Sequence, residues 1–354
     1  MIPGDFWRGK TVLVTGHTGF KGSWLSLWLS SLGAKVVGYA LRPSQASSLF
    51  EITRLSELMT DVDGNVCDLP ALERVVSRHR PAIVIHLAAQ ALVRESCRRP
   101  VETYATNVMG TVNVLEAVRR IGMTRVVLSI TSDKCYEPLA DEAQPHRESD
   151  PMGGHDPYSS SKGCAELVVS AYRRSYFANG NPGIASARAG NIIGGGDFSD
   201  DRLIPDLIKA ALSDRAVSIR NPEAIRPWQF VTDPLAGYMK LVRKLWDDPG
   251  RFAGAWNFGP LDAPSVTVAE VCDRVGALWG PGKGWTAVPD TDMPERGILL
   301  LNSDKATREL PFMPRLSTDQ ALSATVDWYK AWNAGADMRA FTLRQIRDLG
   351  QQEA

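Results

Sequence analysis

The chain of 354 residues has no excess of either charge, with 40 Lys and Arg against 40 Asp and Glu. It therefore lacks the basic footprint that a nucleic-acid backbone or an anionic membrane surface selects. No apolar run reaches the roughly 18 residues that a membrane-spanning helix needs. The opening stretch MIPGDFWRGK has no apolar core of the kind a secretory signal carries, so a cytoplasmic protein is expected. Cysteine is scarce: Cys67, Cys97, Cys135, Cys164 and Cys272 contain no CxxC pair and read as reduced thiols. The histidines His17, His79, His86, His146 and His155 fall into no ligand spacing such as HExxH, so no metal is expected. Internal repeats and low-complexity linkers are also missing.

What is present is an alternation of β-rich runs and helical patterns. TVLVTG (11–16), AKVVGYAL (34–41), AIVIHLAAQ (82–90), RVVLSITS (125–132) and GIASARAGN (183–191) read as buried strands. GSWLSLWLSSLG (22–33) is apolar at helical spacing and stops at Gly33, a C-cap residue. DLPALERVVSRHRP (68–81) opens on Asp68 as N-cap and closes at Pro81. Long helices are expected at about 101–121 and 157–179, and an amphipathic one at 318–335 with Trp328 and Trp332 packing on one face. The pattern predicts an α/β protein: a Rossmann-type doubly wound parallel sheet at 1–190, then a smaller mixed α/β substrate-binding portion at 191–354 with segments returning to the sheet. Beyond residue 190 the pattern loosens, and Gly, Pro and Trp become frequent.

TGHTGFKG (15–22) stands where the first strand meets the first helix. Gly16 permits the tight turn, Gly19 a close approach of backbone to a pyrophosphate, and Gly22 close packing of helix on strand. The helix start then offers free N–H groups and a positive dipole end to phosphate. An acid at the end of the second strand would mark NAD, but the strand runs GYALRP with Arg42. By that rule alone the cofactor is NADP; Arg42 stacked on the adenine or simply solvated is equally consistent.

DPYSSSKG (156–163) puts Tyr158 and Lys162 four apart on one helical face. An ammonium beside a phenol lowers its pKa from about 10, and a tyrosinate can take the proton of an alcohol whose carbon loses hydride. The strand end Thr131–Ser132 supplies a hydroxyl for the oxygen that becomes a carbonyl. Asp133 and Lys134 follow directly, a proton donor and a proton acceptor side by side. A YxxxK pair by itself is also found on ordinary surface helices; the preceding glycine turn and hydroxyl-bearing strand end make it specific here.

The order of TGHTGFKG, HLAAQ (86–90), NVMGTVNVLEA (107–117), the hydroxyl-bearing strand end and YSSSK (158–162) resembles the extended short-chain dehydrogenase/reductase family, also called the NAD-dependent epimerase/dehydratase family. FWRGKTVLVTGHTGFKGSWLSLWL (6–29), TSDKCYE (131–137), DPMGGHDPYSSSKGCAELV (150–168), RAGNIIGGGDF (188–198) and IRNPEAIRPWQFV (219–231) are similar to its sugar-nucleotide 4,6-dehydratases, most like those acting on CDP-glucose. The resemblance implies NAD as cofactor, a sugar nucleotide as substrate, a homodimer or homotetramer formed through 101–121 and 157–179, and neither nucleic acid nor membrane as partner. It implies Ser132, Asp133, Lys134, Tyr158 and Lys162 as catalytic residues. It sets the cofactor against Gly16, His17, Thr18, Gly19, Phe20, Gly22, Arg42, Asn65, Val66, Leu87, Ala88, Ala89, Gln90, Asn107, Thr131, Tyr158 and Lys162, with His86 in the same stretch. It sets the substrate against Asn191, Arg202, Leu203, Arg220, Arg226, Trp228 and Glu295. The implied chemistry is oxidation at C4, removal of the C5 proton by Lys134, loss of the C6 hydroxyl with a proton from Asp133, and return of hydride to C6. Phe230, Pro294 and Asn302 depart from the family pattern, which has His, His and Asp there. A 4-epimerase of the same fold needs Tyr158 and Lys162 but not Asp133 and Lys134. A non-catalytic NAD(H)-sensing protein on the same sheet would need none of them.

Overall fold

The computed structural model describes residues 4–43, 47–141, 143–260, 266–288 and 298–350. The strands in chain order are β1 (Thr11–Thr15), β2 (Lys35–Ala40), β3 (Thr60–Asp63), β4 (Ile83–His86), β5 (Val126–Ile130), β6 (Gly183–Ala189), β7 (Ile192–Ile193), β8 (Val217–Ile219), β9 (Gln229–Phe230), β10 (Gly254–Phe258) and β11 (Trp285–Ala287). Seven of them form one sheet in the order β10-β6-β5-β4-β1-β2-β3, every pair parallel. A parallel sheet is covered by helices on both faces, which is why its strands are apolar throughout rather than alternating. Successive side chains point to opposite faces. Val12, Val14, Ile83, Ile85, Val126 and Leu128 enter one core cluster, and Leu13, Val84 and Val127 the other.

The strand order reverses between β1 and β4. The chain winds outward through β2 and β3, returns to β4 and winds the other way, leaving a crevice at the carboxyl ends of β1 and β4. The backbone N–H of Leu87 donates to Thr15 O at 3.1 Å, so the turn after β4 lies beside the glycine turn after β1. β10 comes from beyond residue 190 and extends the sheet past β6. The short parallel pairs β7–β9 and β8–β11 stand apart from the sheet.

The helix Phe20–Ser31 ends at Leu32, with Gly33 at φ +79°. Gly33 N–H donates to Ser30 O and Ala34 N–H to Leu29 O, the paired bonds of a Schellman stop, and the expected C-cap region is reproduced. Asp68 caps Leu69–His79 by accepting from Ala71 N–H at 2.9 Å. The long helix expected at 101–121 is interrupted: Pro100–Tyr104 passes through a wide π turn, Ala105–Met109, into Gly110–Ile121. The wide turn lets Asn107 point inward, where its amide is fully used, as described below. The helix expected at 157–179 stops at Ser175. Thr318–Asn333 carries Trp328 and Trp332, and both rings pack on Phe198. No helix among the described residues is long and apolar enough to cross a membrane.

Candidate active site

Two of the three glycines are demanded by the protein itself. Gly16 has φ +75°, and a Cβ there would lie 2.6 Å from Ala88 N. A Cβ on Gly22 would lie 2.1 Å from Gly16 O, so helix and turn touch at that point. Gly19 is different. Its φ of −79° suits any residue, and a Cβ there would meet nothing nearer than Gly16 O at 3.5 Å. Only a group brought against this exposed backbone requires glycine, which fits a bound pyrophosphate. The motif residues around it divide by orientation. Thr18 Oγ1 donates to Leu41 O at 3.0 Å. The His17 ring turns inward, fills the space left by Gly38 and meets Asp61 Oδ1 at 2.9 Å. It therefore contributes its backbone, not its imidazole, to any ligand in the crevice. Burial pushes the His17 pKa below 6.5, against the pull of Asp61.

The stretch after β4 behaves similarly. His86 is buried between Thr15 Oγ1 (2.7 Å from Nδ1) and Thr111 Oγ1 (3.1 Å from Nε2), and burial pushes its pKa down to about 3. Its side chain is structural, whereas Ala88, Ala89 and Gln90 form the crevice wall. Asn107 accepts from Gln90 N–H at 2.8 Å and donates to Gln90 O at 2.9 Å and Ser161 Oγ at 2.8 Å. It ties the wall to the helix Pro157–Ser175. Asn65 Oδ1 accepts from Cys67 N–H at 2.9 Å within its own turn, and Val66 is buried. Arg42 is held by the Asp61 carboxylate, with Asp63 Oδ2 at 3.8 Å.

The helix Pro157–Ser175, which carries Tyr158 and Lys162, is capped by Asp156, which accepts from Ser159 N–H at 2.9 Å, with Pro157 opening the first turn. Gly163 lets it lie against the segment after β5: a Cβ there would be 3.0 Å from Gly153 O and 3.2 Å from Cys135 O. That contact sets Tyr158 and Lys162 against Ser132, Asp133 and Lys134, the last two in the short turn Asp133–Cys135. Ser132 Oγ bonds Asp133 Oδ1 at 3.0 Å and accepts from Lys134 N–H at 3.2 Å. Asp133 is 2% exposed, and its Oδ2 has no hydrogen-bond partner among the described residues. Burial pushes the Asp133 carboxyl up, against the pull of Lys134, the Ser132 hydroxyl and Arg226. Lys162 Nζ donates to Ile130 O at 3.3 Å, and burial brings its pKa down to about 8.

The Tyr158 pKa departs from expectation: burial raises it, with the Ser132 hydroxyl and the Arg202 charge opposing. Lys162 Nζ faces the strand carbonyl of Ile130. Thr131 also turns away from the crevice, donating to the Glu166 carboxylate. Glu166 and Arg188, at 2.7 Å and nearly fully buried, form an ion pair behind the site, joined by Ser186 Oγ at 2.7 Å. Burial pushes Glu166 up, but Arg188 and the Thr131 and Ser186 hydroxyls outweigh it and hold the carboxyl below its usual range. Arg188 continues to Tyr136 OH at 2.6 Å, and Tyr136 to Asn257 at 2.7 Å. Sequence reasoning missed this network; a buried acid one turn beyond Lys162 was its only signal. It also missed Lys21, inside the glycine motif, whose pKa is lowered to about 7 by burial, Lys162 and Arg202, with Asp133 opposing.

On the substrate side, Arg226 is buried and acts on Asp133. Gly190 is required between them: a Cβ there would lie 2.4 Å from Pro227 Cγ and 3.0 Å from Asp133 Oδ2. Trp228 is buried in the same loop, and Asn191 O accepts from Gln229 N–H at 3.0 Å. Arg202 precedes Leu203 at the start of Leu203–Leu212 and donates to Ala91 O at 3.2 Å. Arg220 lies 3.4 Å from Asp201. Phe230 is in the core against Trp24, and Asn302 accepts from Asp304 N–H at 3.0 Å at the start of a helix, so neither departure faces the site. Glu295 and Pro294 lie outside the described residues.

A dinucleotide cradle at the switch point of a parallel sheet, with a tyrosine, a lysine and a serine at its mouth, defines a dehydrogenase-type enzyme acting on an alcohol carbon. The family model for GDP-mannose 4,6 dehydratase matches residues 13–254. The CDP-glucose 4,6-dehydratase of Salmonella typhimurium is 48% identical over 353 residues, covering 98% of each chain. The dTDP-glucose 4,6-dehydratase 1 of Escherichia coli is 26% identical over 90% of this chain and 92% of its own. Among solved structures, dTDP-glucose 4,6-dehydratase of Bacillus anthracis in complex with NAD superposes with a TM-score of 0.78 at 24% identity, covering 94% of this chain and all of that one. UDP-glucose 4-epimerase of Thermotoga maritima gives 0.78 at 22% identity over 91% and 99%; at such identities the likeness establishes the fold. The chain belongs to the GDP-mannose 4,6-dehydratase family within the extended short-chain dehydrogenases/reductases.

Proposed function

We propose that the chain is a lyase that converts CDP-D-glucose to CDP-4-dehydro-6-deoxy-D-glucose and water, with NAD as a cofactor that is regenerated in each cycle. The observation that carries the reading is Asp133: a buried carboxyl, raised by burial, beside Tyr158 and Ser132 and followed by Lys134. A 4-epimerase has no use for that pair. Identity to the Salmonella enzyme over 98% of the chain supports the same substrate. The chemistry a bound NAD supplies is acceptance of a hydride from C4 and its return to C6. Tyr158 takes the C4 hydroxyl proton, with Ser132 donating to the oxygen that becomes a carbonyl. The ketone acidifies the C5 hydrogen, which Lys134 removes as a proton; Lys134, its proton exchanged with solvent, gives a proton back to C5 when hydride is returned to C6. Asp133 gives its proton to the departing C6 hydroxyl, which leaves as water. NAD rather than NADP is favoured because Asp61 and Asp63 already pair with Arg42 and compete with a 2′-phosphate for its charge.

The chain also forms a homodimer in this reading. Val101, Tyr104, Met109, Leu167 and Tyr176 are exposed on or beside the helices 100–121 and 157–175, an apolar stripe that a second copy would cover. Leu167→Glu should then yield a monomer by sedimentation. The activity test is incubation with NAD+ and, in parallel, CDP-, dTDP-, GDP- and UDP-glucose. The expected result is a 4-keto-6-deoxy product from CDP-glucose. A C4 epimer without loss of water would reject the reading.

A further inference from the structure

Asp133 and Tyr238 each bury a polar atom that has no hydrogen-bond partner among the described residues: Oδ2 of the acid and the hydroxyl of the phenol. Tyr238 lies on the helix Thr232–Asp247, which packs on β5 and β6, the strands that lead into Asp133 and Gly190. Its ring stands edge-on to Phe258, with centroids 5.4 Å apart. A Cβ on Gly190 would lie 3.0 Å from Asp133 Oδ2, so this oxygen is turned toward the end of β6. The charges of Asp133 and Tyr158, when ionised, both act on the Tyr238 hydroxyl, which places it close to the pair. We propose that Tyr238 is a positioning residue for the loss of water: when Asp133 ionises, the Tyr238 hydroxyl donates to Oδ2 and holds the carboxylate in place. The catalytic part of this rests on the dehydratase reading above. No proton passes between the two residues; the Asp133 proton goes to the departing C6 hydroxyl.

Three features carry it. First, a buried hydroxyl without a partner costs stability, and phenylalanine would fill the same space beside Phe258 without that cost. Packing alone therefore gives no reason for the oxygen. Second, the two oxygens of Asp133 are held unequally. Oδ1 already meets the Ser132 hydroxyl at 3.0 Å, while Oδ2 is open to a second donor. An ionised carboxyl accepts at both oxygens, so giving up its proton creates the demand that Tyr238 meets. Burial pushes the Tyr238 pKa up, which keeps it a protonated donor. Third, the competing acceptor is weaker. Gln229 Oε1 is also buried without a partner, but its amide is anchored by Nε2 to Phe258 O at 2.9 Å, and a neutral amide oxygen draws a hydroxyl less than a carboxylate does. The charged and titratable groups around Asp133 are Lys134 and Cys135 on its own turn, Arg226 on the facing loop, Lys21 on the helix Phe20–Ser31, Tyr158 on the helix Pro157–Ser175, and Tyr238. Catalytic hydrogen bonds are often open in the resting enzyme and close as charge develops.

The test is infrared spectroscopy of the full chain across a pH titration. The carbonyl stretch of the protonated Asp133 carboxyl is assigned by its loss in Asp133→Asn. Tyr238→Phe takes a donor from the carboxylate, so the Asp133 midpoint should rise by about one to two pH units. The melting temperature should hold or rise, because only an unpartnered hydroxyl is lost. In a single turnover with CDP-glucose and NAD+, reduced cofactor should form at the native rate while loss of water slows ~10- to 100-fold. Added to Asp133→Asn, Tyr238→Phe should slow the loss of water no further. An Asp133 midpoint unmoved by Tyr238→Phe would overturn the proposal, whatever the activity. C4 oxidation slowed as much as the loss of water would also overturn it, because the hydroxyl would then be serving Tyr158. A native chain that releases no water from any of the four sugar nucleotides would reject the dehydratase reading, and the infrared titration would still decide on Tyr238.

Discussion

Replacing Glu166 with Ala tests how much the buried network behind Ser132 and Lys162 stabilises the fold. The carboxylate accepts from Arg188 Nη2 and Ser186 Oγ, both at 2.7 Å, and from Thr131 Oγ1. Glu166 and Arg188 are 4% and 3% exposed, so solvent cannot replace the lost partner. Removing one member of a buried pair costs about 3–5 kcal/mol, because the other charge stays buried and uncompensated. With an unfolding entropy of about 2.1 cal/mol/K per residue, a chain of 354 residues should lose ~4–7 °C in Tm. The pH dependence has a definite sign. The folded carboxyl is held below its ordinary value of 4.5, so its contribution is complete above that pH and is lost as the pH falls through the lower folded value. The deficit of Glu166→Ala should thus be constant in neutral solution and shrink in acid. The double variant Glu166→Leu with Arg188→Met removes both charges and should recover most of the stability. Urea unfolding read by fluorescence and circular dichroism measures all three. A Glu166→Ala chain within about 1 kcal/mol of the native one at neutral pH would refute the reasoning.

Three other outcomes follow from the geometry. Gly22→Ala puts a Cβ 2.1 Å from Gly16 O, where only backbone can give way, and should cost about 1–3 kcal/mol together with most NAD affinity; unchanged melting and cofactor titration would contradict this. Burial holds the His86 pKa down, to about 3 against 6.5, so the fold keeps its full stability above pH 6.5 and loses it progressively on acidification, as the unfolded chain takes up a proton that the folded one refuses. In His86→Asn the decline of the urea midpoint between those limits should be shallower, and an identical slope would count against a neutral buried imidazole. Asp133→Asn should still oxidise C4, with reduced cofactor accumulating by its absorbance, while loss of water falls by about 100- to 10,000-fold; an intact overall rate would remove Asp133 from the acid role.

The sheet was legible because parallel strands buried on both faces are short apolar runs, and β1, β2, β4, β5 and β6 all lie inside the runs read from the sequence. β10 was harder to see: GAWNF lies in a Gly- and Trp-rich half with no helix–strand rhythm to announce it. The π turn at Ala105–Met109 has no signature in the sequence, since it exists to satisfy Asn107 against Gln90 and Ser161, residues far apart in the chain. The same reason explains the misplaced side chains. A motif shows that TGHTGFKG and HLAAQ line the crevice, but not that His17 pairs with Asp61 behind it or that His86 is clasped by two threonines. Orientation depends on long-range partners, and Thr131 with Glu166 and Arg42 with Asp61 are further instances. The Tyr158, Lys162 and Ser132–Asp133 grouping was readable because one helix start and one strand end each deliver neighbouring residues as a block.

One labelling measurement tests the central claim most directly. CDP-[4-²H]glucose is turned over in light water with catalytic NAD+, and the product is examined by mass spectrometry and NMR. The account predicts a 4-keto-6-deoxy sugar nucleotide that retains the deuterium at C6 within the same molecule. Loss of the deuterium to solvent, or its return to C4 in an unreduced hexose, would contradict it.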